Sequence, residues 1–248
     1  MKQVLASTLL LSLLVTSQVY AQDTKPETEI SFNIGAVSDY RYRGISQTRL
    51  QPALQGGADF VNNSNGFYMG TWLSTIKWTK DAGGSGSVEA DVYLGKRGEL
   101  SKDISYDFGV LAYLYPSNGL SSVSGFANAN TTELYGQLGT GPFTAKYSHS
   151  TSNLFGFVDS KGSGYFDLSL NLPLDDGFNL NLHWGKQNIK NNSAYSYSDW
   201  KLGVSKEYFG INFGLAAVGT NADEKLYVTP KLKFTGKNAL VLSATKAF

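Results

Sequence analysis

The sequence predicts an all-β chain, a transmembrane antiparallel up-and-down β-barrel of twelve strands with short periplasmic turns and longer extracellular loops. Three observations predict it. Apolar and polar residues alternate with period two over nearly the whole chain after the first 21 residues. The composition holds 27 Gly, 15 Tyr and 14 Phe against 2 Met and 6 Pro, at a formal net charge of +1, which suits many short strands joined by turns. The connections alternate in length along the chain, as they do when strands cross a membrane with turns on one side and loops on the other.

The first element is an export leader. Met1-Lys2 is a short positive start, Val4 to Val19 is apolar and diluted with Ser and Thr, and Val19-Tyr20-Ala21 fits cleavage after Ala21. Residues 22–28 then read as a short periplasmic segment and 29–248 as a single barrel domain. No later stretch reaches the roughly 20 continuous apolar residues of a membrane helix, so any crossing falls to strands. The chain has no cysteine, which excludes a disulfide scaffold and thiolate metal sites. Its basic residues are scattered and give no electrostatic case for nucleic acid.

The strands read as 29–43, 52–62, 66–78, 87–98, 104–115, 131–140, 143–151, 164–173, 178–187, 197–208 and 211–220, followed by a C-terminal region. The alternation is plainest in Phe178-Asn179-Leu180-Asn181-Leu182-His183-Trp184, where Phe, Leu, Leu and Trp share one face and Asn, Asn and His the other. Leu226 to Phe234 and Ala239 to Phe248 each have strand character. Single-chain bacterial barrels have even strand numbers, so Ala239 to Phe248 is taken as the twelfth strand and 221–237 as loop or strand extension. The segments 62–66, 139–142 and 175–177 are tight turns; 44–51, 79–86, 116–130, 152–163 and 188–196 are longer loops. Gly83-Gly84-Ser85-Gly86 lacks the Lys-Ser/Thr of a phosphate cradle and reads as a hairpin loop.

Two aromatic girdles follow from this orientation. Phe60, Phe67, Phe143, Phe178 and Phe248 have outward parity beside short turns, and Tyr40, Tyr42, Trp184 and Trp200 have it toward the long loops. A soluble sandwich also alternates, but its faces predict no such pair of belts. The expected partners are therefore outer-membrane lipid, small polar solutes in the lumen, and the barrel-insertion machinery acting on the last strand, which ends at Phe248. Leu240, Leu242 and Ala244 share the parity of Phe248; Lys246 departs from an apolar signal.

The stretches Ser38-Asp39-Tyr40-Arg41-Tyr42-Arg43-Gly44-Ile45-Ser46-Gln47, Pro52-Ala53-Leu54-Gln55-Gly56-Gly57 and Gly66-Phe67-Tyr68-Met69-Gly70-Thr71-Trp72 resemble the opening of the TorF-type porin family of proteobacterial exported proteins. The terminal Lys246-Ala247-Phe248 is also similar to that family's end. The resemblance implies a channel in the outer membrane of a Gram-negative bacterium.

The opposite parity lines the lumen. It carries Asp39, Arg41, Arg43, Asp59, Glu89, Asp91, Asp107, Glu133, Lys146, Asp167, Asp199 and Lys201, eight acids against four bases, from which a weak cation preference is expected. Most of these charges are expected to pair with one another and brace the wall, because a buried charge needs a partner. Tyr68, Trp72, Tyr93, Tyr113, Tyr135 and Tyr165 share that parity and are expected to narrow the bore. In the first hairpin, symmetry about Thr48 sets Arg41 opposite Gln55 and Asp39 opposite Gly57, while Arg49 belongs to the external loop. The Gly/Ser/Asn-rich segment Ser117 to Asn130 is either an extracellular loop or an inward constriction.

The pattern offers no catalytic residues, no metal-ligand spacing and no cofactor motif. His149 and His183 are the two histidines, and no G-x-S-x-G motif stands near either. The expected function is passive diffusion of small hydrophilic solutes or ions through a narrow, Tyr-lined, mildly acidic lumen. The alternatives are a non-conducting barrel with a structural or surface-interaction role and, after it, an outer-membrane barrel hydrolase.

Overall fold

The computed structural model describes residues 26–248; the leader, its cleavage point and residues 22–25 lie outside the described residues. Alternating side chains send one face of each strand outward and the other inward, and the barrel closes on that alternation. Its twelve strands are β1 (Thr28–Val37), β4 (Ala53–Asn62), β5 (Phe67–Thr75), β6 (Val88–Ser101), β7 (Ile104–Leu114), β8 (Thr131–Thr140), β9 (Phe143–Ser150), β10 (Gly164–Pro173), β11 (Phe178–Asn188), β12 (Tyr197–Tyr208), β13 (Ile211–Thr220) and β14 (Ala239–Ala247). Every neighbouring pair is antiparallel, and β14 pairs back onto β1 through Ala36 and Ala244. Closure leaves no strand edge unpaired, which hydrocarbon requires because it offers backbone groups no water.

The outer face is oily. Ile30, Ile34, Leu54 and Leu240 are 59 to 70% exposed, and apolar side chains continue around every strand. A surface of this kind spread over a whole fold is stable against lipid, not water. Among the described residues no helix is long and apolar enough to cross a membrane.

One rim carries the tight connections 63–66, 102–103, 141–142, 174–177 and 209–210; the other carries six loops, L1 (38–52), L2 (76–87), L3 (115–130), L4 (151–163), L5 (189–196) and L6 (221–238). At the first turn Gly66 has φ +75°, and a Cβ there would collide with the Arg97 carbonyl oxygen. Phe67, Phe143, Phe178 and Phe248 stand exposed on the outer face at this rim, and Phe60 lies outward between Ile30 and Met69. Trp184 and Trp200 pair across β11 and β12 on the same oily face. Lys246 also faces out, its ammonium 5.2 Å from the Phe248 ring centre, so the last strand keeps its parity to the end. Its long stem lets the charge reach the headgroup layer from an apolar row.

The first strand departs from expectation. β1 stops at Val37, not 43, and its register with β4 sets Gly35 opposite Gln55 and Asn33 opposite Gly57, six residues earlier than symmetry about Thr48 requires. The cause is Asp39. Its carboxylate accepts hydrogen bonds from Ser46 Oγ (2.5 Å), Thr48 Oγ1 (3.3 Å) and Arg41 Nε (2.6 Å), which curl the chain off the wall into L1. Within L1 a two-rung ribbon forms from β2 (Arg41–Tyr42) and β3 (Ile45–Ser46). Tyr40 and Tyr42 are therefore not girdle residues: Tyr40 is 8% exposed and packs edge-on against Trp72, and Tyr42 packs against Tyr113 and Phe155.

Two further boundaries shift. β5 ends at Thr75, three residues before the expected end, and one turn of helix, α1 (Trp78–Asp81), precedes the glycine-rich 83–86. Residues 226–234 lie in L6 as a loop with a single bridge between Val228 and Phe234.

Candidate functional site

The lumen is the site, and its extracellular half is filled from above by L1. The tip of L1 carries Arg43, a non-glycine residue at φ +46°, whose guanidinium is 3% exposed. It donates to Glu133 Oε2 on β8 (2.7 Å) and to Gln187 Oε1 on β11 (2.6 Å) and lies 4.2 Å from the Tyr165 ring centre on β10. One side chain thus reaches three strands across the bore. The geometry suits a planar fork better than a lysine point charge. Beside it the Tyr42 hydroxyl bonds that of Tyr113, which also donates to Glu133 (3.2 Å), and Tyr40 donates to Glu89 (3.1 Å).

L1 is held from outside as well. Arg41 Nη1 donates to the carbonyls of Gly44 (2.9 Å) and Lys237 (3.0 Å), Ser46 N donates to the Thr235 carbonyl (3.0 Å), and Lys77 N donates to the Gln47 carbonyl (2.8 Å). Arg49 stays at the surface, paired with Asp81. In L6, outside the membrane span, the Tyr227 phenol donates to the Tyr195 carbonyl (2.6 Å), and burial pushes its pKa upward. L3 folds onto L2 and onto the same buried cluster: Ser85 N donates to the Asn118 carbonyl (2.6 Å), and Leu120 and Ala129, both fully buried, pack with Tyr40, Trp72 and Tyr113. The loop whose charged side chain bonds the wall is L1, through Arg43, with L3 and Phe155 of L4 packed around it.

Lower in the bore the large aromatics lie along the wall. A Cβ on Gly95 would come within 2.5 Å of the Tyr68 hydroxyl, and one on Gly70 within 2.6 Å of Tyr93. Each ring covers the glycine beside it on the next strand, so glycine supplies the slot and tyrosine restores the packing. Their hydroxyls pair with carboxylates, Tyr68 with Asp107 (2.5 Å) and Tyr93 with Asp59 (2.5 Å), while Lys146 Nζ stands 4.0 Å from the Tyr135 ring centre.

On β10 to β12, His183 sits between two carboxylates, with Nδ1 2.9 Å from Asp167 and Nε2 2.9 Å from Asp199. Both nitrogens face carboxylate oxygens, and Nε2 also meets the Tyr165 hydroxyl (3.0 Å). Ser169 Oγ donates to Asp167 (2.6 Å) and lies 3.4 Å from His183 Nδ1. Lys201 lies beside His183 in the register, and His149 points outward at the extracellular end of β9. Among the described residues no group of three His, Cys, Asp or Glu side chains is placed to hold a metal ion.

The structure brings Arg43, Glu133 and Tyr113 into one cluster, Tyr40 and Glu89 beside it, and Asp167, Asp199 and Tyr165 into another around His183. Asp91 is 4% exposed, and its Oδ1 meets no hydrogen-bond partner. Arg97 is an inward residue that the sequence reading passed over; its guanidinium lies 5.4 Å from the Tyr68 ring centre, and it raises the inward bases from four to five. Its parity on the strand from 87 identified it, since it follows Glu89, Asp91, Tyr93 and Gly95.

The periplasmic half differs. From β10 around to β1 its wall presents Asn171, Asn181, Asn212 and Asn33, all half-buried, with Asn181 Nδ2 donating to Asn171 Oδ1 (2.8 Å). This arc is polar and small-sided.

Solved structures with this architecture include two porins. The chain superposes on the KdgM porin with a TM-score of 0.53 at 6% identity, covering 89% of this chain and 99% of that one, and on the NanC porin with a TM-score of 0.53 at 9% identity, covering 88% and 98%. A KdgM structure in complex with disordered oligogalacturonate matches with a TM-score of 0.52 at 6% identity, covering 89% and 99%. At these identities the likeness establishes the fold, a closed twelve-stranded barrel shared with porins. No curated protein matches the sequence. The model of the Gcw_chp family, described as bacterial protein of unknown function, matches residues 21–248, and the chain belongs to that family.

Proposed function

We propose that this protein is a porin-like channel of the outer membrane that passes small hydrophilic solutes or ions. The observation that carries the reading is the division of the wall: an oily exterior all round, and an interior whose periplasmic arc is polar and half-buried beneath a plug that L1 leads and L3 and L4 complete. Buried polar atoms without protein partners, among them Asp91 Oδ1, Ser205 Oγ and Asn212 Oδ1, favour a hydrated interior, because such atoms cost about 1 to 3 kcal/mol each when dry and unpaired. Inward carboxylates outnumber inward bases, with Glu99 sharing the parity of Arg97 and Glu207 that of Asp199, which favours cations and neutral solutes over polyanions such as the oligogalacturonate of the KdgM complex.

Passage through the extracellular half requires L1 to move, since Arg43, Tyr113 and Glu133 are each 3% exposed or less. The same burial favours a second reading, a filled barrel that does not conduct and serves the envelope or its surface. Purified protein in a planar bilayer separates the two. Discrete steps that grow when residues 39–50 are replaced by a short Gly/Ser linker support the channel; silence of both proteins supports the filled barrel. Within the channel reading, exchanging Asp59 and Asp107 for Asn shifts the reversal potential in a salt gradient toward anions, and an unchanged potential refutes the cation preference. We also propose that the outward row Leu240, Leu242, Ala244 and Phe248 is what insertion machinery reads; Phe248→Ala then slows membrane assembly without altering the finished barrel.

A further inference from the structure

Outside the lumen, a groove of about 640 Å³ opens between L4 and L5 at the extracellular rim, with His149, Lys161, Gly162 and Lys190 among the residues that line it. We propose that this groove binds the phosphorylated headgroup of an outer-leaflet lipid, independently of whether the barrel conducts.

The groove is lined by more basic than acidic side chains. Gly162 has φ +88°, and a Cβ there would stand 3.5 Å from Lys190 Nζ and 3.9 Å from His149 Cε1, so the ammonium and the imidazole share one small space. Among the described residues neither Lys161 nor Lys190 has a carboxylate within ion-pair distance, and Asp159 is the single acid lining the groove. The Lys190 ammonium beside the His149 ring, with Lys161 on the same recess, suits a phosphate, whose oxygens accept charge-assisted hydrogen bonds.

The position selects the source of that phosphate. His149 is level with Gly164 and Asn188 on the outward face; the outward row below holds Tyr147, Phe166 and Lys186, and the next holds Ala145, Leu168 and Trp184. Four residues of strand tilted by about 40° climb roughly 10 Å, which carries the groove from the apolar belt into the headgroup layer. Lys186, also facing out, adds a third ammonium beneath it. Trp184 and Tyr147, 43% and 50% exposed, mark the interface at which amphipathic rings settle. A lipid anchored by its chains against this belt presents its phosphate at the height of Lys161 and Lys190.

The test is native mass spectrometry of the detergent-purified barrel titrated with bisphosphorylated lipid A, its dephosphorylated form, and inorganic phosphate. The wild type is expected to retain bisphosphorylated lipid A, and Lys161→Ala with Lys190→Ala to lose about tenfold in retention. Lys161→Arg with Lys190→Arg is expected to keep it, as is Lys96→Ala with Lys206→Ala, which removes two lysines near the opposite rim. Heat-modifiable migration on a gel verifies the fold of each variant; if the alanine pair does not fold, Lys161→Gln with Lys190→Gln carries the same comparison. Equal retention by the groove variant, or equal retention of the dephosphorylated lipid, overturns the proposal. Inorganic phosphate competing as tightly as the lipid also overturns it, assigning the groove to a soluble anion.

Discussion

The two halves of the lumen use the same wall differently. Toward the periplasm the inward side chains from β10 to β1 include Asn171, Asn181, Asn212 and Asn33, all half-buried. Toward the outside, Glu89, Tyr113, Glu133, Tyr165 and Gln187 are at most 2% exposed, although they sit on strands of the same alternation. The strands do not change character between the halves; what changes is L1, which brings Arg43, Tyr42 and Tyr40 into the bore and gives Glu133, Gln187, Tyr113 and Glu89 there a partner. A barrel wall is thus permissive, and a loop decides whether it encloses a path or a core.

The largest expected effect tests the partner in the packed half. Glu133→Ala leaves the Arg43 guanidinium buried with only Gln187 as acceptor, and is expected to cost about 3 to 5 kcal/mol, read from urea unfolding in lipid vesicles. A loss below about 1 kcal/mol would show that L1 does not need the wall and that the contrast between the halves is not energetic. An intermediate effect is expected where ring and glycine interlock: Gly95→Val drives a side chain into Tyr68 and costs about 1 to 3 kcal/mol by the same measurement, whereas Gly95→Val combined with Tyr68→Ala recovers part of that loss. The smallest belongs to the periplasmic half. Asn33→Ala removes a half-buried amide at the polar arc and is expected to shift stability by no more than about 0.5 kcal/mol, so a larger change would place packed structure in that half as well.

Much of this was legible from residue order. Alternation placed Phe67, Phe143, Trp184 and Leu240 outward and Tyr68, Glu89, Asp107 and Glu133 inward, because side chains on a strand have only two directions and lipid and water sort them. The alternation failed at Tyr40 and Tyr42. Asp39-Tyr40-Arg41-Tyr42-Arg43 continues the pattern of Ile30, Phe32 and Ile34 in letters, but Ser46 and Thr48, seven and nine residues on, supply hydroxyls to Asp39 that pull the chain away from β4. Local parity cannot register a hydrogen bond made across a turn.

The sequence by itself determined the two faces and the two rims, since each rests on spacing along one strand or on the length of one connection; the count of twelve also needed the even-number rule of single-chain bacterial barrels to choose between Leu226 to Phe234 and Ala239 to Phe248. The tertiary structure alone decided which loop enters the bore and which charges meet. Arg43 finds Glu133, 90 residues away, and Gln187, 144 residues away, only because barrel closure brings β8 and β11 to face the same axis. Whether an inward charge lines a path or locks a core depends on that convergence, which no single strand encodes.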